Sequence, residues 1–152
     1  MKKNKVFAGY IFLKNINGIL YPSYIQNRMN KEFIENHLNG KIYMSQNENM
    51  YSKNSIVLNS LITENNKIDG IVMLSVFHLP KQKKERLKIY KNLIKKKKGI
   101  FFVLENLSFF KKRDIEKIEN SLIFTESFFT KEVNNLSPFE NKIFKDEKWS
   151  FI

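Results

Sequence analysis

The chain has 152 residues, a length that fits one domain with a core of its own. It contains no cysteine, which excludes disulfides, cysteine-ligated zinc and iron–sulfur sites. The net charge of +12 favours anionic ligands. Most of that charge is lysine, whereas surfaces that read nucleic acid prefer arginine, so a nucleic-acid partner is not favoured.

The beginning of the chain predicts a strand and not a secretion signal. A basic start, residues 1–5, is followed by the short apolar run Val6–Leu13, which contains Gly9 and ends without a small-residue cleavage site. No apolar run approaches the ~18 residues that a membrane span needs. We therefore expect a cytoplasmic protein without a membrane span.

Strand-like and helix-like patterns alternate along the chain, which is typical of a parallel sheet. The predicted strands are Val6–Leu13, Lys41–Ser45, Asp69–Val76 and Ile100–Leu104, with Ile123–Thr125 as an edge strand. The predicted inward faces of the helices are Ile25, Met29, Phe33 and Leu38; Val57, Leu58, Leu61 and Ile62; Leu87, Tyr90, Leu93 and Ile94; and Ile115, Ile118 and Leu122. Ser55 is predicted to cap the second helix, the third spans Pro80–Lys98, and the fourth spans Asp114–Ser121.

These patterns predict a single three-layer α/β domain with a mainly parallel sheet of four to five strands, flavodoxin- or resolvase-like in outline. The domain covers residues 1–125. Residues 126–152 form a C-terminal extension rich in aromatic residues. So many aromatic side chains are not expected to stay in water, so the extension docks either on its own domain or on a second subunit.

The segment from Asp69 to Pro80 indicates where a site should lie. The turn pair Asp69-Gly70 opens a nearly unbroken apolar run, which suits a strand covered on both faces. Ser75 and His78 follow where that strand emerges. In open α/β sheets ligands usually bind at the carboxyl ends of the strands, so we expect a site there.

Further polar residues follow the other predicted strands and the start of the first helix. Gln26, Asn27 and Arg28 lie at the first helical turn, where backbone N–H groups favour an anion; they could equally face solvent as ordinary helix residues. Ser45 and Glu48 follow the second strand, where a serine often satisfies loop backbone and a glutamate is often a surface acid.

The second half of the chain contributes candidates for proton transfer and anion binding. Glu105, beside Asn106, ends the fourth strand and could act as a general base, bind a sugar hydroxyl or cap a loop. His78 could shuttle protons, although a single histidine is more often structural. Arg86 could clamp a phosphate or pair with Glu105. Glu105, Glu48 and His78 are thus the catalytic candidates.

Several common sites are unsupported by the sequence. Neither a Gly-x-Gly-x-x-Gly nor a P-loop motif is present, and no spacing of histidines or carboxylates is typical of a metal site. We therefore predict neither a cofactor nor a metal.

A set of spaced motifs resembles the sporadic carbohydrate cluster protein family. The motifs are Gly9-Tyr10-Ile11, Pro22-x-x-x-Gln26-Asn27, Ser45-x-x-Glu48, Asp69-Gly70-Ile71-Val72-x-x-Ser75-x-Phe77-x-Leu79-Pro80, Arg86-x-x-Ile89-Tyr90 and Phe102-x-Leu104-Glu105. They cover about residues 7–125. The chain departs from the family after the first motif. Phe12, Leu13 and Lys14 stand where the family has small hydroxyl residues and an arginine.

The resemblance implies a bacterial protein of surface-polysaccharide or lipopolysaccharide biosynthesis. Its ligand would be a sugar, a sugar-phosphate or a nucleotide-sugar, bound by the motif residues together with their polar neighbours. These ligand-binding candidates are Tyr10, Gln26, Asn27, Arg28, Ser45, Ser75, Arg86 and Asn106. The family name implies no particular reaction, so the protein is either an enzyme or an accessory protein.

The order of elements has a weaker resemblance to the catalytic domain of serine recombinases. In that family a nucleophilic serine lies near the end of the first strand, where this chain has Phe12 and Leu13. His78 replaces the arginine expected after the third strand. The resemblance therefore implies a shared architecture and not a shared reaction.

Three functional hypotheses follow. The first is the handling of a sugar or sugar-phosphate at the carboxyl ends of the strands, in surface-glycan biosynthesis. The second is a non-catalytic module that binds a glycan-biosynthetic enzyme, or a second copy of itself, through residues 126–152. The third is a nucleic-acid binder with a degenerate recombinase-like fold.

Overall fold

The structure, a computed structural model, describes residues 3–51 and 54–134, with side chains as far as residue 124. Its strands are β1 (Val6–Ile11), β2 (Lys41–Asn47), β3 (Gly70–Met73), β4 (Gly99–Phe102) and β5 (Leu107–Phe109). Its helices are α1 (Ser23–Asn36), α2 (Ile56–Thr63), α3 (Lys83–Lys96) and α4 (Asp114–Asn134). A short 3-10 turn, Val76–His78, follows β3.

The strands form one five-stranded sheet in the order β2-β1-β3-β4-β5. β1 pairs in parallel with β2 and β3, and β3 pairs in parallel with β4. Only β5 runs antiparallel, against β4. The mainly parallel sheet predicted from the alternating pattern is thereby confirmed.

Helices cover both faces of the sheet because successive strand residues point to opposite sides. On one face, Phe33 and Ile34 of α1 pack with Phe7, Val72 and Phe101 of the strands. The other face forms the larger core with side chains from the remaining helices: Leu58, Leu61 and Ile62 of α2, Ile89, Tyr90 and Leu93 of α3, and Ile118 of α4. The predicted three-layer architecture is confirmed.

The end of the described chain differs from the prediction. Residues 123–125 were predicted as an edge strand but lie inside α4, which also extends well beyond the predicted end at Ser121. The edge of the sheet is formed instead by Leu107–Phe109, which returns after a tight turn and pairs with β4. Such a hairpin needs few residues, so its short strand shows no clear alternating pattern. Most of residues 126–152, and all of their side chains, lie outside the described residues.

The face of α3 that packs against the core differs from the predicted one. Ile89, Tyr90 and Leu93 are buried, whereas Leu87 and Ile94, which were predicted to face inward, are 43% and 42% exposed. The helix begins at Lys83 and not at Pro80. It ends where Lys97 takes a left-handed backbone conformation, with φ of 55°.

Lys98 connects α3 and α2 through an unusual cap. Its buried ammonium donates hydrogen bonds to the carbonyls of Leu61, at 3.0 Å, and Ile62, at 2.8 Å, and to that of Asn65. Those carbonyls lie at the end of α2, where helix carbonyls have no partner within the helix. Burial lowers the pKa of Lys98, with the nearby charge of Lys96 as a smaller cause.

Replacing Lys98 by methionine should lower the free energy of unfolding by about 2 kcal/mol, since charge-assisted hydrogen bonds to the α2 carbonyls are lost. Urea denaturation measures the change. The matched control is Lys95→Met, at an exposed position in the last turn of α3. Equal effects of the two substitutions would show that the α2 carbonyls do not depend on Lys98.

Candidate functional site

The main cavity lies at the carboxyl ends of β1 and β3 and has a volume of about 910 Å³. Two chain segments that leave these adjacent strands form much of its wall. The residues that line it are Phe12, Leu13, Lys14, Asn15, Leu20, Met50, Tyr51, Asn54, Ser55, Leu79, Pro80, Lys81, Gln82 and Glu85. This is the position at which open α/β sheets bind ligands. A smaller cavity of about 460 Å³ lies beside Tyr43 and the end of α2.

Gln26 fixes the segment that follows β1. Its amide nitrogen donates to the carbonyls of Phe12 and Tyr21, both at 2.8 Å, and its amide oxygen accepts from the N–H of Phe12 at 3.1 Å. Asn30 of the same helix donates to the carbonyl of Tyr10 at 3.2 Å. Gln26 is fully buried, so it acts on the cavity by holding Phe12 in place.

Lys14 brings a partly buried ammonium into the cavity wall. Its Nζ donates to the carbonyl of Leu79 at 3.3 Å and lies 6.0 Å from the centre of the Phe12 ring. Burial, followed by the charges of Lys81 and Arg86, lowers the pKa of Lys14 to about 8. Within the described part of the chain Lys14 forms no ion pair.

Glu48 caps α2 and does not line the main cavity. Its carboxylate accepts the backbone N–H groups of Val57, at 3.2 Å, and Leu58, at 3.1 Å. The Tyr10 hydroxyl donates to it at 3.0 Å. Burial, and then the Glu48 charge, raises the pKa of Tyr10. Both side chains therefore stabilise the connection between β1 and α2.

The predicted cap, Ser55, occupies the N-cap position of α2, but its side chain does not cap the helix. Its backbone is left-handed, with φ of 47°, and its side chain makes no capping hydrogen bond at the start of α2. Glu48, nine residues before Val57, supplies the acceptor for two of the unpaired N–H groups of the first turn. The prediction that Ser55 caps this helix through its side chain was wrong.

Ser75 and Glu105 come together at the ends of β3 and β4. The Ser75 hydroxyl donates to the Glu105 carboxylate at 2.5 Å and accepts the N–H of Phe77 at 3.2 Å. The same carboxylate accepts the N–H of Val76 at 3.2 Å. Burial raises the pKa of Glu105, and the bonds from Ser75 and Val76 offset part of that shift. The pair holds the 3-10 turn that leads into the cavity wall.

His78 is fully buried beside the cavity. Its ring lies 6.0 Å from that of Phe12, and neither ring nitrogen makes a hydrogen bond of standard geometry within the described residues. Burial lowers the pKa of His78 to about 4, with the Lys14 backbone offsetting part of the shift. His78 is therefore a neutral ring at pH 7.

Arg86 pairs with Glu119 of α4. Its guanidinium contacts both carboxylate oxygens, with Nε at 3.0 Å and 3.2 Å and Nη2 at 2.8 Å. Nη1 donates to the carbonyls of Pro80, at 3.0 Å, and Lys81, at 2.6 Å. The predicted pairing of Arg86 with Glu105 was therefore wrong, because Glu119 of α4 lies beside Arg86 and supplies the carboxylate.

The remaining ligand-binding candidates lie apart from the main cavity. Ser45 donates to the side-chain oxygen of Asn27 at 2.6 Å, across β2 and α1. Arg28 is exposed on α1. Asn106 is exposed in the turn between β4 and β5, where its φ is 51°.

Polar residues of the cavity lining were not among the predicted site residues; they include Lys14, Asn15, Lys81, Gln82 and Glu85. A signal was present, because Lys14 and Lys81 follow the predicted first strand and the Leu79-Pro80 pair directly. The side-chain oxygen of Asn15 is buried without a hydrogen-bond partner among the described residues.

The described residues contain neither a metal-binding cluster nor a membrane-spanning helix. No group of three or more histidine, aspartate or glutamate side chains is placed to hold a metal ion within that part of the chain. Among the same residues, no helix has the length and apolarity to cross a membrane.

Of the comparisons with known proteins, the comparison with solved structures finds matches. No protein-family model matches the chain, and no curated protein matches it. Among solved structures, the N-terminal catalytic domain of TP901-1 integrase superposes with a TM-score of 0.58 at 14% identity, covering 85% of this chain and 98% of that domain. At this identity the likeness concerns the fold alone. The chain therefore has a resolvase-like fold, as the weaker of the two sequence resemblances implied.

Proposed function

We propose that this protein binds a phosphorylated sugar, either a sugar-phosphate or a nucleotide-sugar, in the cavity at the carboxyl ends of β1 and β3. The observation that carries the proposal is the presence of Lys14 and Lys81 together in the wall of that cavity. Two cations in one pocket attract a phosphate, and a pocket surface partly shielded from water strengthens the attraction.

The other lining groups suit the rest of such a ligand. Asn15 and Gln82 offer amide groups to hydroxyls, and Tyr51 and Phe12 offer ring surface to a sugar or a base. The volume of about 910 Å³ lies within the roughly 300–1,000 Å³ of ordinary ligand pockets. A hexose phosphate would fill part of this space, and a nucleotide-sugar most of it.

The assignment to surface-glycan biosynthesis rests on the sequence resemblance to the sporadic carbohydrate cluster family. Several motif residues of that resemblance stabilise the site without lining it. Gln26 holds Phe12, and Ser75 with Glu105 holds the turn before Leu79.

The geometry supports binding more directly than catalysis. Glu48, Glu105 and His78, the predicted catalytic residues, all lie outside the cavity lining. Their catalytic roles stay predictions, as does the alternative of an interaction module acting through residues 126–152. Among the lining residues, the titratable groups best placed for chemistry are Lys14 and Glu85.

One matched structure is the catalytic domain of an integrase, which, together with the weaker sequence resemblance, makes a recombinase activity a second candidate function. The end of β1 argues against it here, because Phe12 and Leu13 occupy the place where the recombinase resemblance expects a serine nucleophile. The net charge of +12 would still produce non-specific DNA binding, which weakens as the salt concentration rises.

Replacing Lys81 by methionine should weaken the binding of a sugar-phosphate by about tenfold or more, since a charge-assisted contact worth roughly 1.5–3 kcal/mol is lost. Folding should be unchanged because the Lys81 side chain is exposed. The measurement is calorimetric titration with the ligand that most stabilises the wild-type protein in a thermal-shift panel of sugars, sugar-phosphates, nucleotide-sugars and duplex DNA. The panel is run at low and moderate salt.

The matched control is Lys31→Met, an exposed lysine of α1 outside the cavity. It removes the same charge and should leave the affinity within about twofold, as surface charges far from a site are screened by salt. The proposal is wrong if no phosphorylated sugar stabilises the protein, or if the two substitutions weaken binding equally.

A further inference from the structure

Lys14 differs from the other lysines of the described chain in its surroundings. Its Nζ has one hydrogen bond, to the carbonyl of Leu79, and lies against the Phe12 ring in the wall of a large cavity. No carboxylate of the described residues pairs with it, while the charges of Lys81 and Arg86 act on it. An ammonium that lacks an acid partner and has cationic neighbours is poorly stabilised.

This setting increases the share of the neutral amine at Lys14. Burial and the two cations lower its pKa to about 8, against 10.5 for an ordinary lysine. A neutral amine carries the lone pair that attacks a carbonyl carbon, and desolvation beside another cation is a common way to activate a lysine. The cavity leaves room for a ligand carbonyl beside the Lys14 side chain.

Lys98 provides an internal comparison. It is buried as well, and its pKa is also lowered, but its Nζ donates to three carbonyls at the end of α2. Its nitrogen is enclosed by protein acceptors and does not line the main cavity. Both lysines are shielded from water, so they differ in the groups that surround the side-chain nitrogen and in its access to the cavity.

We propose that Lys14 forms an imine with the carbonyl carbon of an aldehyde- or ketone-bearing sugar-phosphate held in this cavity. The proposal rests on the proposed function, because Lys81 must first hold the phosphate near Lys14. It adds to that function a covalent step and a ligand class, namely phosphorylated sugars with a free carbonyl group.

The step is a condensation and needs no oxidant or reductant. The Nζ lone pair attacks the carbonyl carbon, the N–C bond forms, and the carbonyl oxygen takes up a proton to give a carbinolamine. The C–O bond then breaks, the oxygen leaves as water, and the nitrogen loses its protons as the C=N bond forms. Proton transfers can pass through Glu85, which lines the same cavity, or through solvent.

The test uses D-glyceraldehyde 3-phosphate, whose carbonyl is not masked in a sugar ring, with glycerol 3-phosphate as the matched ligand without a carbonyl. The full-length protein is incubated with each ligand and treated with borohydride, which reduces an imine to a stable secondary amine. Peptide mass spectrometry then locates the adduct. We expect glyceraldehyde 3-phosphate to label Lys14 at least tenfold more than any exposed lysine, and glycerol 3-phosphate to leave no label.

The variant Lys14→Arg keeps a cation in the cavity but has no amine that can form an imine under these conditions. Treated in the same way with glyceraldehyde 3-phosphate and borohydride, it should lose the label at position 14. Labelling of lysines in proportion to their exposure, or equal total labelling of Lys14→Arg and wild type, would overturn the proposal.

The two proposals fail in different ways. If both phosphates stabilise the wild-type protein but glyceraldehyde 3-phosphate leaves no adduct at Lys14, the imine is wrong and phosphate binding stands. If neither these ligands nor the larger phosphorylated sugars stabilise the protein, the proposed function is wrong, and the imine proposal is overturned with it.

Discussion

Replacing Arg86 by methionine should lower the free energy of unfolding by about 3 to 5 kcal/mol, because it leaves the buried carboxylate of Glu119 without its partner. The two side chains are only 12% and 10% exposed, and three N–H···O contacts join them. The substitution also removes the donor to the carbonyls of Pro80 and Lys81. Chemical denaturation followed by circular dichroism measures the loss.

Two further variants separate a buried pair from a general effect of charge. Lys88→Met removes an exposed lysine that pairs with Glu85 at 3.7 Å, and should cost less than about 1 kcal/mol. The double variant Arg86→Met, Glu119→Leu should regain part of the stability, since no charge then stays buried alone. A stable Arg86→Met protein with impaired sugar-phosphate binding would instead support Arg86 as a ligand residue and contradict the structural role described above.

The stability of the protein should fall as the pH drops from 7 to below 4, with His78 contributing about 3 kcal/mol of that fall. Its pKa is about 4 in the folded protein and 6.5 in an unfolded chain. Between these values the unfolded chain binds a proton that the native protein does not bind. Protonation therefore favours unfolding, and the contribution of His78 is fully present above pH 6.5 and lost as the pH passes through 4.

The variant His78→Phe keeps a ring beside Phe12 and cannot titrate, so its stability should depend less steeply on pH between 6.5 and 4. The difference between the two profiles of stability against pH isolates the contribution of His78 from those of the other titrating groups. Glu105, for example, acts in the opposite direction because its pKa is raised in the folded protein. Parallel profiles for wild type and His78→Phe would show that His78 is not held neutral by burial.

The position of the candidate site could be predicted from the sequence, but its lining could not. The carboxyl end of β3 was expected to carry a ligand site, and the cavity lies there, beside the end of β1. Ser75 and Glu105 were both placed near this edge, and they contact each other. Their polar atoms form hydrogen bonds with one another and with the backbone. The spacing of residues along the sequence does not reveal such pairing.

Helix capping shows the same limit at a single position. Ser55 has the residue type and the place of an N-cap, so a local rule selects it. Glu48 takes the role because the loop after β2 brings its carboxylate to the start of α2. The choice depends on the path of a loop and on Tyr10 beneath it, and neither is visible in the spacing of residues.

The sequence by itself determined the α/β class, the mainly parallel sheet and the edge of the sheet at which the main cavity lies, since each follows from apolar periodicity along short segments. Only the tertiary structure decided which buried polar groups meet: Arg86 with Glu119, Glu48 with Tyr10, and Lys98 with the end of α2. It also placed Lys14 and Lys81 in one cavity. The physical reason is that burial of apolar faces is a local pattern, whereas pairing across distant segments depends on how helices and loops pack in three dimensions.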